Sequence, residues 1–150
     1  MYKKILVPLD GSELSESILP QVISVAKPSK ADVVLFRVLE PMDKGVRDTL
    51  GDDLAHKLDT VNTEEAQSYL HKIAGILLQQ GLKVSIITVT GHPAVSIIEY
   101  AGAHAIDLIT MATHGRSGLS RLAFGSVADK VLRQSPVPVL LGPVVGSVRS

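Results

Sequence analysis

The stretch Thr113-His114-Gly115-Arg116-Ser117-Gly118 sets two glycines, a histidine and an arginine directly after an apolar run, Ala105-Ile106-Asp107-Leu108-Ile109-Thr110-Met111-Ala112. Nine residues separate Gly115 from Gly125-Ser126, where a new apolar-periodic segment opens. This order reads as a strand, a glycine-bearing loop and a helix N-terminus. Free backbone N–H groups and the positive end of a helix dipole at such a junction favour an anion, typically phosphate. Arg116 and Arg121 could pair with phosphate oxygens. Gly115 and Gly118 taken alone would serve as turn residues. Gly125 adds weight, because it leaves the N–H groups of the next helix sterically open. Ser126 with Asp129 three residues on has the form of a capping box, so its hydroxyl either caps the helix or meets a phosphate.

Two further residues invite chemistry. Asp10 follows a short apolar run and precedes Gly11-Ser12. It either closes an Asx-turn or accepts from a ribose hydroxyl or an adenine amino group. A carboxylate repels phosphates, so contact with them would need a metal. His114 could act as a general acid or base or could orient the loop by a hydrogen bond; no partner is fixed beside it by spacing. His56, His71, His92 and His104 lack metal-ligand spacing. There is no G-x-x-x-x-G-K-[ST] loop, no G-x-G-x-x-G fingerprint and no G-x-S-x-G elbow. A nucleotide site here would bind, with little visible machinery for reaction.

Composition narrows the classes. A chain of 150 residues fits one domain, 1–150, and is long enough for its own core. The formal net charge is zero, which gives no general pull toward nucleic acid or anionic membrane. Two Phe, three Tyr and no Trp leave few stacking platforms for single strands. The absence of Cys excludes disulfides, thiolate zinc sites and cysteine nucleophiles. No apolar run approaches the roughly 20 residues of a membrane span. The N-terminal apolar run stops at Pro8, too short for a signal peptide. A soluble cytoplasmic protein follows as the default.

The elements that must position these residues alternate. Ile5-Leu6-Val7 reads as a strand buried on both faces. Ser12 is placed to cap a helix carrying Leu14, Ile18, Val22 and Val25, which Pro28 ends. Val33-Val34-Leu35-Phe36-Arg37-Val38 is a second strand. The polar stretch 40–57, with Pro41, Gly45 and Gly51, reads as a mobile loop with a helical end. Asn62-Thr63-Glu64-Glu65 resembles a capped start, and Ala66, Tyr69, Leu70, Ile73 and Leu77 form an apolar stripe closed by Gly81. Val84-Ser85-Ile86-Ile87-Thr88-Val89 is the third strand. Pro93 opens a helix with Val95, Ile98 and Ala101 inward. Residues 107–111 form the fourth strand, residues 126–134 a helix with Val127, Val131 and Leu132 inward, and residues 137–141 a fifth strand. Pro138 suits a sheet edge. The alternation predicts an α/β fold: a doubly wound, Rossmann-like, five-stranded parallel sheet of order 3-2-1-4-5 with helices on both faces. Ligands of such sheets sit beyond the strand C-termini where strand order reverses. Pro8-Leu9-Asp10-Gly11 and the stretch from Met111 to Ser126 would meet there.

The chain resembles the universal stress protein family over essentially its whole length. Ile5-Leu6-Val7-Pro8-Leu9-Asp10-Gly11-Ser12 is similar to the family's first strand and turn. The segment from Met111 through Gly115 to Gly125-Ser126-Val127-Ala128 is similar to its nucleotide motif, and Ser135-Pro136-Val137-Pro138-Val139-Leu140-Leu141 to its last strand. The ATP-binding branch carries G-x2-G-x9-G-[S/T]. Here Gly115 and Gly125-Ser126 keep that spacing, and Ala112 stands in place of the first glycine. The resemblance implies ATP, or AMP or ADP, with Mg or Mn bridging the phosphates. It places Pro8, Leu9 and Asp10 on the adenine and ribose side, the Val38 backbone against adenine, and Met111 and Ala112 at the ribose. Gly115, Arg116, Gly125, Ser126 and Val127 would hold the phosphates. It also implies a homodimer through Val137-Pro138-Val139-Leu140-Leu141, to which an apolar edge strand is open. The leading expectation is a nucleotide-dependent stress-response regulator with a further protein partner. The alternatives are a slow ATPase, with His114 or Asp10 assisting a water, and a dimeric interaction module without nucleotide, which Ala112 would favour.

Overall fold

A computed structural model describes residues 1–113 and 125–142. Five short strands form the sheet: β1 (Lys4–Pro8), β2 (Asp32–Leu39), β3 (Lys83–Thr90), β4 (Leu108–Met111) and β5 (Val139–Leu141). All pairings are parallel, in the order β3-β2-β1-β4-β5, as the alternating pattern predicts. β1 lies in the middle, and Ile5, Leu6 and Val7 are completely buried there.

The two-residue period of the strands divides the core. Ile5, Val7, Val33 and Leu35 pack on one face with Val22 and Ala26 of α2 (Leu19–Ser29) and Leu70, Ile73 and Leu77 of α4 (Asp52–Gln79). Leu6, Val34, Phe36 and Ile109 pack on the other with Ile97 of α5 (Pro93–Ala103) and Val131 of α6 (Ser126–Gln134). Helices therefore cover both faces, which is why the inner strands are apolar throughout.

The start of β1 is tied to the start of β4. The Lys3 and Lys4 backbone N–H groups donate to the two Asp107 carboxylate oxygens at 2.7 and 3.1 Å. The Asp107 N–H donates back to the Lys4 carbonyl, and Lys4 Nζ reaches the His104 carbonyl.

Several elements differ from the sequence expectation. The first helix is two pieces, α1 (Glu13–Glu16) and α2. Pro20 sits in the first turn of α2 and has no N–H with which to continue the earlier ladder. Pro28 does not end α2; it lies inside it, and the helix closes on Lys30 at φ 55°. Residues 40–43 are irregular, and from Lys44 the stretch is helical apart from Gly51, so helix covers far more of 40–57 than the expected helical end. Asp43 accepts from the Gly45 and Val46 N–H groups and starts α3 (Lys44–Leu50). Gly51 at φ 85° then turns the chain directly into the 28-residue α4. Asn62-Thr63-Glu64-Glu65 consequently falls mid-helix rather than at a start. The α4 stripe of Ala66, Leu70, Ile73 and Leu77 is buried as expected, with Gly81 at φ 82° beyond the C-terminus.

In α5, Ala101 is buried as expected and Ile98 packs partly buried against the same cluster, while Ala94 and Ile97, one position before the expected Val95 and Ile98, are the more deeply buried. In α6, Ala128 and Val131 are buried and Leu132 is exposed, because the sheet lies under the 128 and 131 positions. β5 begins at Val139, two residues later than expected, after the Ser135 hydroxyl has joined the Val137 backbone in a tight turn. β5 is an edge strand, in keeping with Pro138.

Candidate functional site

The strand order reverses at β1, whose neighbours β2 and β4 connect to opposite sides of the sheet. The chain segments leaving β1 and β4 enclose a cleft of about 440 Å³ there, within the range of ligand pockets. Pro8, Leu9 and Asp10 form one wall. Val38 at the end of β2, Met111 and Ala112 at the end of β4, and Gly125, Ser126 and Val127 at the start of α6 complete it. Nine residues chosen from sequence thus share one cavity. Gly115 and Arg116 lie outside the described residues, as do His114, Gly118 and Arg121.

Local folding explains each placement. In the first turn, Asp10 Oδ1 accepts from the Ser12 N–H at 2.9 Å and from the Ser12 hydroxyl, closing the Asx-turn. Gly11 adopts φ 87°, a conformation that a side chain would oppose. The Ser12 hydroxyl caps α1 by accepting from the Ser15 N–H at 3.1 Å. The buried Ser15 hydroxyl in turn accepts from the Asp10 N–H. The Asp10 carboxylate is therefore held at the cleft edge by its own turn.

At the opposite wall, the Gly125 N–H donates to the Thr113 carbonyl at 2.8 Å, and the Gly142 N–H donates to the Met111 carbonyl at 2.9 Å. The first of these bonds ties the start of α6 to the residue two beyond β4. Gly125 is the N-cap of α6 and supplies no side-chain acceptor, and Ser126 is the first helical residue. This corrects the capping-box expectation: Asp129 instead binds Arg133 along the helix at 3.1 Å. Ala112 is buried, only 5% exposed, and lines the cleft.

Residues that sequence reasoning missed also line the cleft. Phe36, Arg37, Leu39 and Glu40 come from β2 and the turn beyond it, Pro93 and Ile97 from α5, and Ser15 and Ala128 from α1 onward and α6. Arg37 carried a signal, since a charge inside a buried strand run needs a reason. A second, more polar cavity of about 680 Å³ shares Arg37, Leu39 and Glu40 and extends to α3 and α4. The Arg37 guanidinium lies 5.6 Å from the Tyr69 ring centre. The Tyr69 hydroxyl donates to Glu16 Oε2 at 2.8 Å. Burial, and then this hydrogen bond to Glu16, hold the Tyr69 phenol well above the ordinary tyrosine range. Among the described residues no three His, Asp or Glu side chains gather to hold a metal.

The fold and cleft define a doubly wound α/β protein with a ligand-sized cavity at the switch point of its sheet. The chain belongs to the universal stress protein family, whose sequence profile matches residues 1–143. It is 33% identical over 144 residues to universal stress protein MJ0531 of Methanocaldococcus jannaschii, covering 94% of this chain and 82% of that one. It is 31% identical to universal stress protein MJ0577 of the same organism, covering 94% of each. The solved structure of MJ0577 superposes with a TM-score of 0.84 over 98% of this chain and 99% of that one. A universal stress protein solved in complex with cAMP shares the fold, with a TM-score of 0.69 at 22% identity over 95% of this chain and 98% of the other. No helix among the described residues is long and apolar enough to cross a membrane.

Proposed function

We propose that this chain binds an adenine nucleotide in the switch-point cleft and acts as a nucleotide-dependent regulator of a stress response. The observation that carries the reading is the convergence of Asp10, Val38, Ala112 and Gly125 on one cleft that ends at the N-terminus of α6. Adenine sits between Leu9 and Val38, whose apolar surfaces suit a base. The ribose lies against Met111 and Ala112, with the Asp10 carboxylate as acceptor for a hydroxyl. The phosphates point toward Gly125, Ser126 and Val127, where unpaired N–H groups of a helix start favour negative charge. Gly115 and Arg116 lie outside the described residues; the family resemblance assigns them to the phosphates as well. Mg or Mn travels with the phosphates. Occupancy changes the surface offered to a protein partner, and a second copy of the chain pairs along the outer edge of β5.

Titration calorimetry with Mg-ATP, ADP and AMP tests this. At protein near about 100 µM, a site of roughly 10 µM affinity saturates visibly. Absence of heat with all three nucleotides, from protein with an intact circular-dichroism spectrum, overturns the reading. Ala112→Leu crowds the ribose wall and is expected to weaken binding about tenfold, at a stability cost of about 1–3 kcal/mol for overpacking a buried position that circular dichroism and a urea melt would show separately.

A further inference from the structure

The outer half of α4 carries apolar side chains that the core does not use. Leu54, Leu58 and Val61 are 45%, 38% and 47% exposed. Spacings of four and three residues place them on one stripe of the helix. The core-facing residues Ala55, Ala66, Leu70, Ile73 and Leu77 lie on a different face. Exposed apolar residues scattered singly need no explanation, but an aligned stripe marks a surface for a partner.

The charges beside the stripe choose the partner. Lys57 and Glu64 are both exposed and lie along the same flank. When two identical helices pack antiparallel, the same flank of each meets the other, so the flank must be complementary to itself. Centring the pair between Leu58 and Val61 sets Leu58 against Val61 of the partner subunit. It also sets Lys57 against Glu64 of the partner subunit, and symmetry repeats both contacts. A parallel two-fold pairing would instead bring opposite flanks together and set Lys57 near the uncharged Asn62 of the partner subunit, with no charge to complement it.

We propose that the α4 stripe is a self-association surface for a second copy of this chain, seated antiparallel about the midpoint of Leu58 and Val61. The contact is isologous, as two-fold assembly requires. From Leu54 to Glu64 the helix spans roughly 16 Å, so the contact is smaller than the ~800 Å² per partner of a stable interface. Association is therefore weak and concentration-dependent. It involves neither β5 nor the switch-point cleft, so together with an edge-strand contact it would extend dimers into larger assemblies.

The chain has no cysteine, so engineered thiols report cleanly. Leu58→Cys and Val61→Cys chains are prepared separately and oxidised mildly, alone and mixed. The antiparallel register predicts several-fold more intermolecular disulfide in the mixture than in either variant alone. Equal cross-linking of Leu58→Cys by itself, or none in the mixture at high concentration, overturns the proposal. Sedimentation supplies a second measurement. Lys57→Glu is expected to weaken association several-fold, and adding Glu64→Lys to restore it. Failure of the double variant to recover rules out the register. Pairing along β5 leaves both readouts unmoved.

Discussion

Thr110 is completely buried in β4, and its hydroxyl has no hydrogen-bond partner. A buried polar group without a partner costs about 1–3 kcal/mol, and removing it in a side chain of the same shape recovers part of that. Thr110→Val is therefore expected to raise the unfolding free energy by about 1 kcal/mol, seen as a higher urea midpoint at unchanged slope. Tyr69 gives a pH prediction at the same scale. Its folded pKa lies above that of the unfolded chain, first through burial and then through the bond to Glu16. The unfolded phenol loses its proton near about pH 10 while the folded one keeps it. Tyr69 thus contributes stability in full below that pH, and the contribution falls as pH rises above it. Burial also raises Tyr100. The phenolate absorbance of the native protein should lag behind that of the unfolded chain, and Tyr69→Phe should remove part of the lag.

The short helix α3 depends on Asp43, whose carboxylate accepts from two backbone N–H groups. Asp43→Ala should cost about 1 kcal/mol. Hydrogen exchange would show the loss confined to residues 44–50, with the sheet amides still protected. This element was illegible in the sequence because Gly45 and Gly51 read as breakers and no apolar face repeats across 44–50. Gly51 does break the helix, but at φ 85° it re-aims the chain into α4 rather than freeing it. The strands were legible for the opposite reason. Burial on both faces demands continuous Val, Ile and Leu, and short length with β-branched enrichment separates these runs from a buried helix. The inward faces of α5 and α6 were harder, since both helices are apolar on more than one side and only the sheet beneath selects Ile97 over Ile98 and Val131 over Leu132. The cleft was legible where glycine or a turn residue had to stand, at Asp10 and Gly125. Pro93 and Ile97 reach it only through the packing of α5, which no local pattern states.

At the scale of the whole molecule, the sheet is closed by contacts between distant parts of the chain. Asp107 holds the Lys3 and Lys4 amides across a sequence separation of more than a hundred residues. Hydrogen bonds to a charged group contribute about 1.5–3 kcal/mol when well made, so Asp107→Ala should lower stability by at least about 1 kcal/mol, measured by denaturant titration. The central place of β1 has a further consequence, in the time it takes to make the protein. The strand translated first is the central one, flanked by β2 and by a strand that begins at Leu108. At about 5–20 residues per second, roughly 5–20 s pass between synthesis of Pro8 and synthesis of its second neighbour. During that interval one edge of β1 is an open template on the nascent chain, apolar from Ile5 to Pro8. A ribosome-bound fragment ending near residue 106 should bind chaperone and resist compaction, and the edge disappears only when the fourth strand arrives.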